Sequence, residues 1–200
     1  MTRTTALGLV RLAWAEVGAV DRRRDPESDA ARTCGFRGER RELGDALLAE
    51  LIADLAPGAG TAIRRRCLRC GGEDHGAPHP AAAPVVVSVS YAGRLVVAAA
   101  ARDRDAASLG VDAERGAGPL PGLAPLFAPL APPDRAGWTR IEAALKADGR
   151  GLRVPPGDVR LAHEGPGFLA HVPGRSDPIE VVTIDDGPPG CVVSVARAPR

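Results

Sequence analysis

The chain's single lysine, Lys146, stands four residues after Glu142 in Trp138-Thr-Arg-Ile-Glu142-Ala-Ala-Leu-Lys146. The rest of the 26 Lys plus Arg are arginines, so the composition itself does not call for lysine here. Upstream, Leu109-Gly-Val-Asp112-Ala-Glu114 supplies two acids two residues apart. On a strand that spacing puts both carboxylates on one face. On a helix, a spacing of four does the same for Glu142 and Lys146. Asp112, Glu114 and Glu142 are three oxygen donors of the kind that suit Mg²⁺, which keeps several waters and completes its shell from substrate phosphates. Clustered acids repel and raise one another's pKa, and a divalent ion removes that penalty. Lys146 could neutralise a phosphate oxygen or shuttle a proton. The bland alternative is a solvated Glu142–Lys146 pair, worth roughly a few tenths of a kcal/mol.

The elements that must carry these residues follow from periodicity. Residues 4–20 read as a strand or short helix. Residues 28–55 read as a helix, with Leu43, Leu47, Leu48, Leu51, Ile52 and Leu55 on one face and Pro57-Gly58 as the stop. Residues 62–84 are loop-like. Val85–Ser90 and Leu95–Ala101 form a hairpin across a Tyr91-Ala-Gly93 turn, and Ser108–Glu114 is a third strand. Residues 116–133 hold six prolines and read as a linker or mobile loop, either a docking surface or a segment packed on the C-terminal half. Trp138–Lys146 is a helix capped by Gly149, and residues 158–197 give short strands between Gly-Pro turns. The expected fold is α+β, in two similar pseudo-symmetric lobes, each a small antiparallel sheet on a long helix. The lobes span residues 1–104 and 105–200.

Composition bounds the function classes. A net charge of +1 gives no general bias towards nucleic acid or membrane, although clusters at Arg22–Arg24 and Arg64–Arg66 could meet a polyanion. No stretch approaches the ~20 apolar residues of a membrane span, and the chain reads as soluble and cytoplasmic. Cys67-Leu-Arg-Cys70, with His75 and His79 nearby, has metal-ligand spacing and admits a structural zinc or, more simply, a turn with reduced cysteines.

Taken together, Gly110-Val-Asp112-Ala-Glu114 and Trp138-Thr-Arg-Ile-Glu142-Ala-Ala-Leu-Lys146-Ala-Asp-Gly149 resemble the two signature boxes of the 4′-phosphopantetheinyl transferases. Ser88-Val-Ser90-Tyr91-Ala-Gly93 resembles the family's Ser-His-x-Gly turn, and His75-Gly76-Ala77-Pro78 its Gly-Lys-Pro loop. The four matches fall in the family's order along residues 75–151. The resemblance implies the longer, surfactin-type class: a monomer with its active site between the lobes. Such enzymes move the phosphopantetheine arm of coenzyme A to a serine of an acyl or peptidyl carrier protein and release adenosine 3′,5′-bisphosphate. By position, Asp112, Glu114 and Glu142 would hold Mg²⁺, while Glu142 and Lys146 would be catalytic. Arg32, Arg37, Arg40, Gly76, Pro78, Ser90 and Tyr91 would bind coenzyme A. The chain departs from the family at three basic positions, where it has Ala77, Tyr91 and Ile141. Those losses motivate a second reading, a non-catalytic relative that binds coenzyme A or a carrier protein.

Overall fold

A computed structural model describes residues 3–4, 9–18, 29–67, 70–73 and 75–200, with the side chains of residues 3–4 and 29–35 outside the description. The architecture is mixed α+β with antiparallel sheets and few helices. Strands β1 (Arg3–Thr4) and β2 (Arg11–Glu16) precede helix α1 (Asp29–Leu55). Next come β3 (Ile63–Arg66), β4 (Ala77–Pro80), β5 (Val85–Ala92), β6 (Leu95–Arg102) and β7 (Ser108–Arg115). A one-turn helix α2 (Ala124–Phe127) leads to α3 (Arg135–Asp148). Strands β8 (Arg160–Glu164), β9 (Gly167–His171), β10 (Ile179–Thr183) and β11 (Cys191–Ala198) close the chain. The sheets run β1-β2-β6-β5 and β7-β11-β10-β9-β8, with β3 and β4 a separate ribbon.

Alternation on β6 explains how the layers stack. Val96, Ala98 and Ala100 meet the α1 stripe of Leu47, Leu48, Leu51 and Ile52. Leu95, Val97, Ala99 and Ala101 lie on the other face, in one apolar cluster with Leu109, Val111 and Ala113 of β7 and Val193 and Val195 of β11. A strand covered on both faces reads as a continuous apolar run, as Leu95–Ala101 does. On the far side, Ala196 and Ala198 of β11 and Ile179 and Val181 of β10 pack with Trp138, Ile141 and Leu145 of α3. The order is therefore helix, sheet, sheet, helix. The many alanines in these strands let layers approach closely, which suits a chain that is only 3% aromatic.

The structure differs from the sequence-based expectation in three places. Residues 62–84 contain the β3–β4 ribbon, with Arg66 paired to Ala77 and Ile63 to Pro80. Prolines at strand positions mask such an edge ribbon in the sequence. Tyr91 and Ala92 belong to β5, and the turn falls at Gly93-Arg94, with Gly93 at φ 61°. Within 116–133, Leu123 and Phe127 are buried, and the Phe127 ring stands edge-on to Trp138 at 6.2 Å, whereas Leu126 and Leu130 are exposed. Helix α3 is longer than its apolar stripe. Asp134 caps its start by accepting from the Gly137 N–H at 2.7 Å, and Gly149 at φ 84° ends it.

Candidate active site

Among the described residues, strand β7 pairs with β11 along one edge only. On its other edge two buried serines of β5 take the place of a main-chain partner. Ser88 Oγ accepts the Val111 N–H at 3.0 Å, and Ser90 Oγ accepts the Ala113 N–H at 3.2 Å. Ser90 then donates to Asp112 Oδ1 at 3.0 Å. The hydroxyls satisfy buried donors that would otherwise be costly. The Ser90 hydroxyl also fixes the Asp112 carboxylate at the seam between the sheets.

Helix α3 brings the rest of the site. A Cβ on Gly110 would lie 1.8 Å from the Ala143 carbonyl oxygen and 2.7 Å from the Ala147 nitrogen. Only glycine lets the α3 backbone sit this close to β7. The approach sets Lys146 Nζ 2.7 Å from Asp112 Oδ1, 3.0 Å from the Val111 carbonyl and 3.4 Å from Ser90 Oγ. Glu142 Oε1 lies 4.0 Å from the same ammonium. One carboxylate oxygen each from Asp112, Glu114 and Glu142 fall within 4.8 Å of one another. Arg135 approaches the Glu114 carboxylate at 3.8 Å. The sequence pairing of acids with a lone lysine is thus one cluster in space.

Its electrostatics are unbalanced. Burial, then the Asp112 charge, raises the pKa of Glu142; Lys146 opposes this and Glu114 adds to it. Burial, then Asp112, likewise raises Glu114, against the Trp138 hydrogen bond, Arg135 and Lys146. Like charges about 5 Å apart repel by roughly 3 kcal/mol at an intermediate dielectric. Lys146 and Arg135 offset part of this for three carboxylates. Asp112 Oδ2 is buried with no hydrogen-bond partner among the described residues. Three hard oxygen donors, an orphaned carboxylate oxygen and excess negative charge fit a divalent cation such as Mg²⁺.

Beside Lys146 opens a cleft of about 640 Å³, walled by the β3–β4 ribbon on one side and the end of α3 on the other. Arg66, Arg150, Arg153 and Arg175 line it with Lys146, while among the described residues Asp148 is the one carboxylate and is held by Arg150 at 2.6 Å. Gly76 and Pro78 lie on its wall. Gly76 is also needed by the chain itself, because at φ 105° a Cβ would meet the Arg66 carbonyl oxygen at 2.5 Å.

Other expected ligand residues sit elsewhere. Ser90 is buried in the seam. Tyr91, one residue on, points to the opposite face, where its hydroxyl would lie 2.9 Å from a Cβ on Gly44 of α1. Burial raises its pKa, against the Arg65 charge and hydrogen bond. Arg40 donates to the Gly93 carbonyl at 3.2 Å and stacks over Phe36 and Tyr91. Arg37 is exposed on α1, and the side chain of Arg32 lies outside the described residues, as do Arg22–Arg24. Ile141 is buried beneath α3, and its neighbour Arg140 donates to Thr183 Oγ1 at 2.8 Å and covers Phe168. Arg150, Arg153 and Arg175 had no signal in the sequence, because arginines at loop positions acquire a common direction only after folding. The chain matches no protein-family model and no curated protein.

Proposed function

We propose that the chain transfers the 4′-phosphopantetheine arm of coenzyme A to a serine of an acyl or peptidyl carrier protein. It would act as a cytoplasmic monomer of two related helix-backed lobes, with the site at their seam. The observation that carries this reading is the convergence of Asp112, Glu114, Glu142 and Lys146 at the edge of an arginine-lined cleft. Asp112, Glu114 and Glu142 would hold Mg²⁺. The ion, when bound, supplies charge neutralisation for a pyrophosphate.

The remaining work falls to the chain's own residues. In the transfer, the serine oxygen–phosphorus bond forms as the pyrophosphate bond breaks. The serine proton leaves to Glu142, directly or through water, and adenosine 3′,5′-bisphosphate departs. Lys146, with three oxygens around its ammonium, serves as a positioned donor and fixed charge rather than a mobile base. Arg66, Arg150, Arg153 and Arg175 offer the cleft's positive charge to the nucleotide phosphates, a role that compensates for Ala77, Tyr91 and Ile141. Positioning and charge neutralisation supply most of the rate in such chemistry.

The test is mass spectrometry of an apo carrier protein incubated with the chain, coenzyme A and Mg²⁺. The expected gain is about 340 Da, the mass of the transferred arm, and it should require the metal. Normal coenzyme A binding with no gain on any carrier would replace this reading with that of a non-catalytic binder.

A further inference from the structure

We propose that Cys67, Cys70 and His75 form a zinc site that clips the loop of the β3–β4 ribbon. Their ligand atoms all lie within 4.8 Å of one another. Cys70 Sγ and His75 Nε2 are 3.2 Å apart. Two ligands at ordinary zinc distances in a tetrahedron stand roughly 3.5 Å from each other, so one ion can serve both with little movement. Two thiolates and an imidazole are soft and borderline donors that select Zn²⁺ over Mg²⁺ or Ca²⁺. The two negative charges balance the ion, and each thiol releases its proton on binding.

The backbone is shaped for the same purpose. The Gly71 N–H donates to the Cys67 carbonyl, and the Cys67 N–H donates to the Gly72 carbonyl, both at 2.8 Å. These bonds bring Gly71 and Gly72 back against Cys67, and both sulfurs lie close to the His75 ring. Gly71, at φ 74°, takes the left-handed conformation the fold-back needs. The Gly72 N–H points at Cys70 Sγ at 3.4 Å. An amide aimed at sulfur stabilises a thiolate and orients it, as outer partners of metal ligands do. His79, which also fitted the sequence spacing, lies on β4 opposite Arg64 and is not in the cluster. Three protein ligands leave one tetrahedral position for water or another donor.

The site's location suggests its purpose. Arg66, Cys67, Gly76 and Ala77 all line the cleft. A two-stranded ribbon is marginal by itself. An ion joining residues 67, 70 and 75 closes the loop that connects its strands, and so holds one wall of the cleft in place. This inference does not depend on the transferase reading.

The experiment is elemental analysis of the full-length protein, followed by cobalt substitution. About one zinc per chain is expected, and Co²⁺ should give thiolate-to-metal charge-transfer bands with intense tetrahedral ligand-field absorption. Cys70→Ser and His75→Ala should cut the bound zinc to near zero, with the circular dichroism spectrum retained. Cys191→Ser, on β11, should leave it unchanged. Absence of zinc together with a Co²⁺ spectrum lacking charge-transfer bands overturns the proposal. So does zinc that persists in a Cys67→Ser/Cys70→Ser double variant. Should the variants not fold, the cobalt spectrum of the wild-type chain decides alone.

Discussion

Ser90 holds more of the site together than its size suggests. One hydroxyl accepts the Ala113 N–H, donates to Asp112 and lies within reach of Lys146. Ser90→Ala leaves a buried N–H without its acceptor. We expect a loss of about 1–3 kcal/mol, read by urea unfolding, together with reduced Mg²⁺ affinity. Lys146→Ala and Asp112→Ala should each lower kcat/KM for carrier modification by about 100-fold or more, because they remove charge aimed at the reacting groups. Glu142 gives a pH signature. Its folded pKa lies above its unfolded value, so the ionised form is disfavoured by folding. In metal-free protein its contribution to stability is best below the unfolded pKa and declines as pH rises through the raised one. Metal-free Glu142→Gln should therefore match or exceed the wild type in Tm at neutral pH. The gap should shrink as the pH falls through the raised range. Added Mg²⁺ should stabilise the wild type more at higher pH, and a Tm series with and without the ion reads both effects. An unchanged gap across the series would count against a strained carboxylate cluster.

At the scale of elements, the packing of α3 on β7 depends on Gly110. Gly110→Ala puts a methyl group into the helix backbone at Ala143, where no side-chain rotation relieves the overlap. The variant should lose about 3 kcal/mol or more by denaturant unfolding. If it folds, transfer activity should fall with kcat more than KM, since Glu142 and Lys146 ride on the displaced helix. The main elements were legible in the sequence. The Leu47–Leu55 stripe, the Val85–Ala101 hairpin and the Trp138-Ile141-Leu145 face each carry a period that one element explains. So were the pairs Asp112–Glu114 and Glu142–Lys146, because each spacing is short and local; their meeting across 34 residues of chain was implied by the family resemblance of the two boxes, not by spacing. The ribbon at Ile63–Arg66 and Ala77–Pro80 was not, since proline and histidine hide strand pairing. Nor was the position of Tyr91, which turns on where β5 ends; two more residues of strand send the ring to the α1 face. Arg66, Arg150, Arg153 and Arg175 reach one cleft from segments far apart in sequence, which no local pattern encodes.

For the whole molecule, the helix–sheet–sheet–helix order leaves the cleft at the margin, between ribbon and helix end. No helix among the described residues is long and apolar enough to cross a membrane. In the proposed transfer the cleft's arginines would act on a highly charged ligand at a wet surface, so their effect should be screened by salt. Arg66→Ala and Arg153→Ala should each raise KM for coenzyme A by roughly 3- to 10-fold at low ionic strength, with smaller penalties as salt is added. Steady-state kinetics at two salt concentrations would show it, and a salt-independent effect would argue against direct phosphate contact. The free edge of β7 has one more consequence. The amides of Val111 and Ala113 bond to serine hydroxyls of the neighbouring sheet instead of to a strand in their own. Breathing within either sheet leaves those protons guarded. Deuterium should enter at these two positions when the layers separate, so their isotope uptake is a clock for the parting of β5 from β7.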